Sequence, residues 1–341
     1  MRVGERLEMA RKMRGMSQQD LGDQVGVSRM SISKYENNQS VPGSQYLLKL
    51  AQALGIKVEY LLRPVEVHLS APAFRKRAAL SKKGEMKILH QTQDWVERYL
   101  QVEALFGIDS KFETPDIDTN VQQMEDIEQI TIRLRENWQL GLDPIDNMME
   151  MLEERGIKVW AFNQEADHFD AVVMWANEQA PVFVVKDGIS GDRQRYNLAH
   201  ELGHLILRIN EGLDEEKAAH RFAGAFLVPE PKVYEELGRF RQHISYEELN
   251  LLKHKYGLSM QAWTYRAKDL GVISESKMRS MFIDFSKRGW REKEPGDQIL
   301  PEQPRKMNQL ILRALAEGVI SRSRAEELLN TPLQELELME A

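Results

Sequence analysis

The sequence predicts a mainly α-helical chain with one small β-sheet, an α+β architecture. Three observations predict it. Apolar residues recur at spacings of three and four over most of the chain, which is the helical period. Between Ile157 and Val185 the period falls to two, which is the strand period. Gly, Pro and Ser punctuate the helical stretches closely, so the helices are short. A length of 341 residues suggests two or three domains.

Composition narrows the class. Hydrophobic residues make up 42%, as in an ordinary globular protein. There is no cysteine, so disulfides and thiolate metal sites are excluded, and any metal must be held by His, Asp, Glu or water. No run approaches the length of a membrane span, and no apolar signal core follows Met1-Arg2-Val3-Gly4-Glu5-Arg6. The expectation is a soluble, cytoplasmic protein with no membrane partner. The net charge of −7 is unevenly spread. Residues 1–83 carry 15 Lys and Arg against 7 Asp and Glu, a net of +8, and the remainder carries 31 against 46, a net of −15. A basic N-terminus on an acidic body points to nucleic acid.

Residues 1–63 read as five short helices. Leu7 and Ala10 mark the inner face of the first. Ser17 caps a second helix, whose inner face is Leu21 and Val25. Gly26 permits a tight turn, and Ser28 caps a third helix that runs to Asn37, with Ile32 and Tyr35 inward. Ser44 to Leu54 form a fourth and Val58 to Leu62 a fifth. This is helix-turn-helix spacing, and it turns Arg29, Met30, Ser33 and Lys34 outward on the helix that would enter a major groove. Arg can grip guanine at two points, and Lys can reach a base or a phosphate. Gln18 stands at a helix N-terminus, where a phosphate can dock.

The run Ser17-Gln18-x-x-Leu21-Gly22-x-x-Val25-Gly26-Val27-Ser28-x-x-x-Ile32-x-x-Tyr35-Glu36-Asn37 resembles the Cro/C1-type (XRE) helix-turn-helix family over residues 5–62. The resemblance implies a five-helix DNA-binding domain that meets a double-stranded operator as a homodimer. It assigns base reading to Arg29, Met30 and Lys34 and a backbone contact to Gln18. Met30 departs from the usual polar choice and could meet only a thymine methyl.

Residues 64–119 read as a linker and helical connector. Pro64 and Pro72 break structure. Arg75-Lys76-Arg77 and Lys82-Lys83 read as solvated surface, with a phosphate contact as the alternative. A helix is expected from His90 to Phe106, then a loop over 109–119. In residues 120–240, Glu125 to Trp138 read as a helix, and a second starts at Leu142 and runs to about Arg155. Three strands follow, Ile157–Phe162, Phe169–Trp175 and Pro181–Val185, with a turn at Asn177-Glu178-Gln179.

The next helix, Asp192 to Leu207, contains His200-Glu201-Leu202-Gly203-His204. Two histidines four apart share one helix face and can hold one zinc ion, and Glu201 can then take a proton from a zinc-bound water. A catalytic site needs a third protein ligand. Glu216, at the start of the following helix, could supply it, or Glu215 and Glu216 could simply complement that helix N-terminus. Spacing alone leaves both open. Arg195 reads as a structural ion pair rather than a substrate contact.

The segment Arg195-Tyr196-Asn197-Leu198-Ala199-His200-Glu201-Leu202-Gly203-His204, with Glu216-x-x-Ala219-His220-x-Phe222-Ala223-x-x-x-Leu227-Val228-Pro229, resembles the ImmA/IrrE family of metallopeptidases. The resemblance implies a zincin-like domain over 120–240 that uses Zn2+, with Glu216 as third ligand. It also implies a protein substrate: a repressor, an antitoxin or the chain itself. His220 stands where the family has Asn or Asp. It could orient Glu216, compete as a ligand or sit in the core. His220 and Tyr196 are the candidates for stabilising the oxyanion of a water-promoted hydrolysis. Two rivals are carried: a transcription factor whose peptidase fold only senses or dimerises, and a toxin–antitoxin component that works by binding.

Residues 241–341 read as a helical C-terminal region. Ser245 and Glu248 suggest a capping box, and Met260 to Leu270 a helix at helix-turn-helix spacing, taken as a packing unit. Residues 289–304 read as a loop, and Met307 to Leu329 as two short helices.

Overall fold

The computed structural model describes residues 3–70, 81–108, 111–162 and 169–334. The N-terminal bundle consists of α1 (Val3–Met13), α2 (Gln18–Val25), α3 (Arg29–Glu36), α4 (Ser44–Leu54) and α5 (Val58–Leu62). Its core holds Leu7, Leu21, Val25, Ile32, Leu50, Leu54 and Leu61. Local chemistry sets its turns. Ser17 and Asp20 form a reciprocal capping box at the start of α2. Gly22 is required by close approach, since a Cβ there would lie 2.7 Å from the carbonyl oxygen of Val27.

The connector differs from a simple linker. Gln93 in the long helix α6 (Lys82–Leu105) donates to the Val67 carbonyl at 2.6 Å. Leu69 bridges antiparallel to Ala176, and the Ser70 N–H donates to the Trp175 carbonyl at 2.9 Å. Residues 64–70 are thus a strap across the body. α6 also begins two turns before the expected His90. Ser81 caps it by accepting from the Gly84 N–H at 3.1 Å, so the exposed Lys82-Lys83 pair is already helical. Arg75-Lys76-Arg77 lies outside the described residues.

The body continues with β1 (Asn120–Val121), α7 (Asp126–Asn137) and α8 (Met148–Glu154). α8 starts at an Asn147 cap rather than at Leu142. The preceding loop has another way to satisfy its backbone, because the buried Arg135 guanidinium takes the Gly141 carbonyl at 2.7 Å and the Asp143 carbonyl. Burial also pushes the Arg135 pKa down to about 10.

β2 (Lys158–Phe162), β3 (Ala171–Ala176) and β4 (Ala180–Lys186) form a sheet of order β2-β4-β3. β2 runs parallel to β4 and β3 antiparallel to it. The expected turn is present, with Asn177 and Glu178 at φ 50° and 58°. α9 (Gly191–Ile206) leads into β5 (Arg208–Ile209), which pairs parallel with β1. That two-stranded ribbon was not expected. Then come α10 (Glu215–Leu227), α11 (Glu230–Leu237), α12 (Tyr246–Tyr256), α13 (Met260–Asp269), α14 (Glu275–Lys287), α15 (Lys306–Ala316) and α16 (Arg322–Leu329). α14 was also unexpected. At α12 only half the capping box forms. Ser245 accepts from the Glu248 N–H at 3.1 Å, but the Glu248 carboxylate pairs with Arg241 at 2.6 Å.

Two cores flank the sheet. Phe183 and Val185 face one that includes Leu198, Leu202, Phe222, Phe226, Trp263 and Phe285, so helices on both sides of residue 240 pack together. Val182, Val184 and Met174 face the other, with Trp95, Tyr99, Ile311 and Leu328. α13 buries Trp263, Thr264, Arg266 and Ala267, the packing role expected of it. Among the described residues, no helix is long and apolar enough to cross a membrane.

Candidate metal centre and nucleic-acid surface

α9 buries Leu198, Ala199, Leu202 and Ile206 in the core, which fixes the rotation of the helix. α10 crosses it closely at Gly203, where a Cβ would lie 3.1 to 3.2 Å from Phe222 and Ala219. This crossing brings Glu216 to the histidines. His200 Nε2 and His204 Nε2 are 3.3 Å apart. Glu216 Oε2 is 3.7 Å from the first and Glu216 Oε1 is 3.7 Å from the second. Tetrahedral zinc with bonds of about 2.0–2.1 Å needs donors about 3.3–3.5 Å apart. The donor chemistry and the spacing both fit such an ion. Glu201, the next residue after His200, is 7% exposed and turned about 100° around the helix.

Spacing leaves open whether Glu216 meets the metal or only complements the helix N-terminus, and the structure turns it to the histidines. Asp214 caps α10 by accepting from the Lys217 N–H at 3.1 Å. Glu216 turns to the facing ring nitrogens, while Glu215 Oε1 lies 3.3 Å from the other nitrogen of His204, Nδ1. His220 is exposed, not in the core. Its ring lies 4.4 Å from that of His200, and its Nδ1 is 3.1 Å from the Tyr196 hydroxyl. Burial, with Asp269 and Tyr265 nearby, pushes the Tyr196 pKa up, so the hydroxyl keeps its proton.

Arg195 points into the scaffold. It pairs with Glu302 at 2.5 Å and donates to the carbonyls of Asp146 and Ile145. Sequence reasoning missed its partner because Glu302 lies in the proline-rich stretch after residue 289. The same stretch supplies Glu294, which pairs with the buried Lys253 at 3.1 Å, and Lys253 lies 3.5 Å from Asp192 at the start of α9. Glu128 was missed as well. Burial raises its pKa, but Arg266 and Arg221 outweigh that and hold it below the usual carboxylate value. No local pattern marks either cluster.

On α3, Arg29, Met30 and Lys34 are exposed, Met30 at 66%. Ser33 is half-buried, and its carbonyl accepts from Asn37 at 2.9 Å. Gln18 stands in the first turn of α2. Its amide donates to Glu36 at 2.8 Å, and Glu36 is held by Arg11 at 2.6 and 2.9 Å. The amide is therefore bonded inside the domain, where it joins α2 to α3.

Comparison with known proteins finds two separate matches, the second of which runs past residue 240. Residues 7–61 match the helix-turn-helix family model, and residues 152–268 match the model described as the IrrE N-terminal-like domain. The HTH-type transcriptional regulator ImmR of Bacillus subtilis is 29% identical over 115 residues, 33% of this chain and 80% of that protein. The prophage-derived HTH-type transcriptional regulator YonR of the same organism is 38% identical over 60 residues, 18% of this chain and 56% of that protein. Repressor protein C2 of Salmonella phage P22 is 39% identical over 61 residues, 18% of this chain and 28% of that protein. The chain thus spans about half of YonR and about a quarter of the phage repressor. A crystal structure of the P22 c2 repressor with a synthetic operator aligns over 18% of this chain and 92% of that one, at 38% identity and a TM-score of 0.18.

Proposed function

We propose that this chain, which joins a helix-turn-helix domain to an IrrE N-terminal-like domain, is a cytoplasmic DNA-binding regulator whose second domain is a zinc-dependent endopeptidase. The observation that carries the reading is the triangle of His200, His204 and Glu216, which is the group of possible ligands found among the described residues. Zinc held there would supply Lewis acidity to a water and to a peptide carbonyl. The rest belongs to the chain. Glu201 takes a proton on its carboxylate from the attacking water and returns it to the leaving amine. We assign Tyr196 and His220 to the oxygen that gains charge, because their hydrogen-bonded pair lies against His200. The buried flank of α9 keeps the ligands still and limits water to the open side.

The DNA half of the proposal rests on α3. Its exposed Arg29, Met30 and Lys34 form the reading surface, and a homodimer would present two such helices to the two halves of an operator. The substrate is a regulatory protein such as a repressor or antitoxin, or the chain itself. The test is co-expression of the wild type or Glu201→Gln with candidate repressors, followed by a search for fragments. Cleavage with the wild type alone is expected. Purified protein that retains no stoichiometric zinc would overturn the enzyme reading.

A further inference from the structure

We infer that Glu215 is a positioning residue of the metal centre: it holds His204 in the tautomer with hydrogen on Nδ1, so that Nε2 offers its lone pair to a divalent cation. This rests on the metal reading above and adds to it the group that prepares one ligand.

The geometry carries it in three steps. Glu215 Oε1 is 3.3 Å from His204 Nδ1, and a carboxylate can only accept, so the hydrogen is on Nδ1. On the opposite side of the ring, His204 Nε2 faces His200 Nε2 at 3.3 Å, and two facing nitrogens cannot both carry hydrogen between them. A proton fixed on Nδ1 of His204 leaves its Nε2 with a lone pair turned toward His200 Nε2 and Glu216. The cap of the helix is made by Asp214, which accepts from the Lys217 N–H, and not by Glu215. Two consecutive carboxylates are therefore divided between the two nitrogens of one imidazole, with Glu216 Oε1 at 3.7 Å from Nε2. A carboxylate behind a ligating imidazole also raises its basicity and fixes its plane.

The simpler role for Glu215 is favourable charge at a helix N-terminus. Two variants separate the roles. Glu215→Gln removes the charge but keeps an oxygen acceptor, and Glu215→Ala removes both. The first measurement is the His204 tautomer in the zinc-free, nitrogen-15-labelled full chain, read from long-range proton–nitrogen spectra. Hydrogen on Nδ1 is expected in the wild type and in Glu215→Gln, and its loss or mixing in Glu215→Ala. The second is affinity for Zn2+ alone by competition with a chromophoric chelator. Glu215→Ala should weaken it about 10–100-fold, with Glu215→Gln in between. Equal losses in the two variants, or an unchanged His204 tautomer in Glu215→Ala, would overturn the inference. A wild type that binds no zinc would sink the metal reading instead, while the tautomer comparison would still decide what Glu215 does.

Discussion

On α3 the residues assigned to DNA stand in water, whereas on α9 those assigned to the metal are packed among other side chains. Arg29, Met30 and Lys34 are exposed, and their work would begin only when a partner arrives. His200 is 4% exposed and meets Glu216, His204 and His220 within the chain. The difference teaches where structure adds to sequence. An exposed reader is specified by its helix face alone, so spacing already says most of what can be said. A buried site is specified by neighbours from other elements, and only the packed chain shows them.

Four sets of measurements would break or sharpen this contrast. The largest effect is expected from His200→Ala, which removes one of three donors and should abolish retained zinc and proteolysis, read by metal analysis and a cleavage assay, while DNA affinity stays unchanged. Loss of both activities together would show that the two regions are not independent. Next is Glu201→Gln. It should lower turnover about 10²–10⁴-fold with zinc content intact. A fall in zinc content would move Glu201 from proton transfer to ligand support. Third is Arg29→Ala, expected to cost about 1–3 kcal/mol in operator affinity by titration, with specificity relaxed at one base pair. Lys34→Ala should instead reduce the salt slope by about 1 if it meets a phosphate. Met30→Ala should change discrimination only at a thymine.

The smallest effect concerns the joint between the regions. Glu327 binds Arg63 of the N-terminal domain and Arg324 of α16. Burial opposes its ionisation, but the bonds to Arg63 and Arg324 prevail and hold its pKa down to about 2. A depressed carboxylate stabilises the fold above its ordinary value near 4.5. That contribution is lost as pH falls from there through about 2. Acid unfolding of Glu327→Gln should therefore be less pH-dependent across that window, and an identical profile would remove the joint from the account.

Much of the fold could be read from local signals. Ser17, Gly26 and Ser28 placed two helices and the turn between them, because caps and turns are properties of a few adjacent residues. The alternation from Ile157 onward placed the three strands, and His200 with His204 placed the metal helix. What could not be read depends on distance along the chain. The two-residue strands β1 and β5 have no periodicity of their own and exist only through each other. The stretch after residue 289 reads as a loop, and nothing local in it announces that Glu294 and Glu302 are the partners of Lys253 and Arg195. Nothing near Gln18 in sequence announces its bond to Glu36. Likewise, the place of Glu215 at His204 Nδ1 depends on how α10 packs on α9.

The strap over residues 64–70 bears on what a cut would accomplish. Suppose the peptidase severed its own chain within residues 71–80. The strap would remain on the N-terminal fragment, still paired with Trp175 and Ala176. Arg6 would still hold Glu97 of α6 at 2.6 Å, with both side chains under a tenth exposed, and Gln91 would still reach the Met13 carbonyl at 2.9 Å. Backbone scission would turn one molecule into a two-piece complex held by its own interface. Release of the DNA-binding piece would then follow a dissociation constant, and dilution rather than cleavage would set its moment.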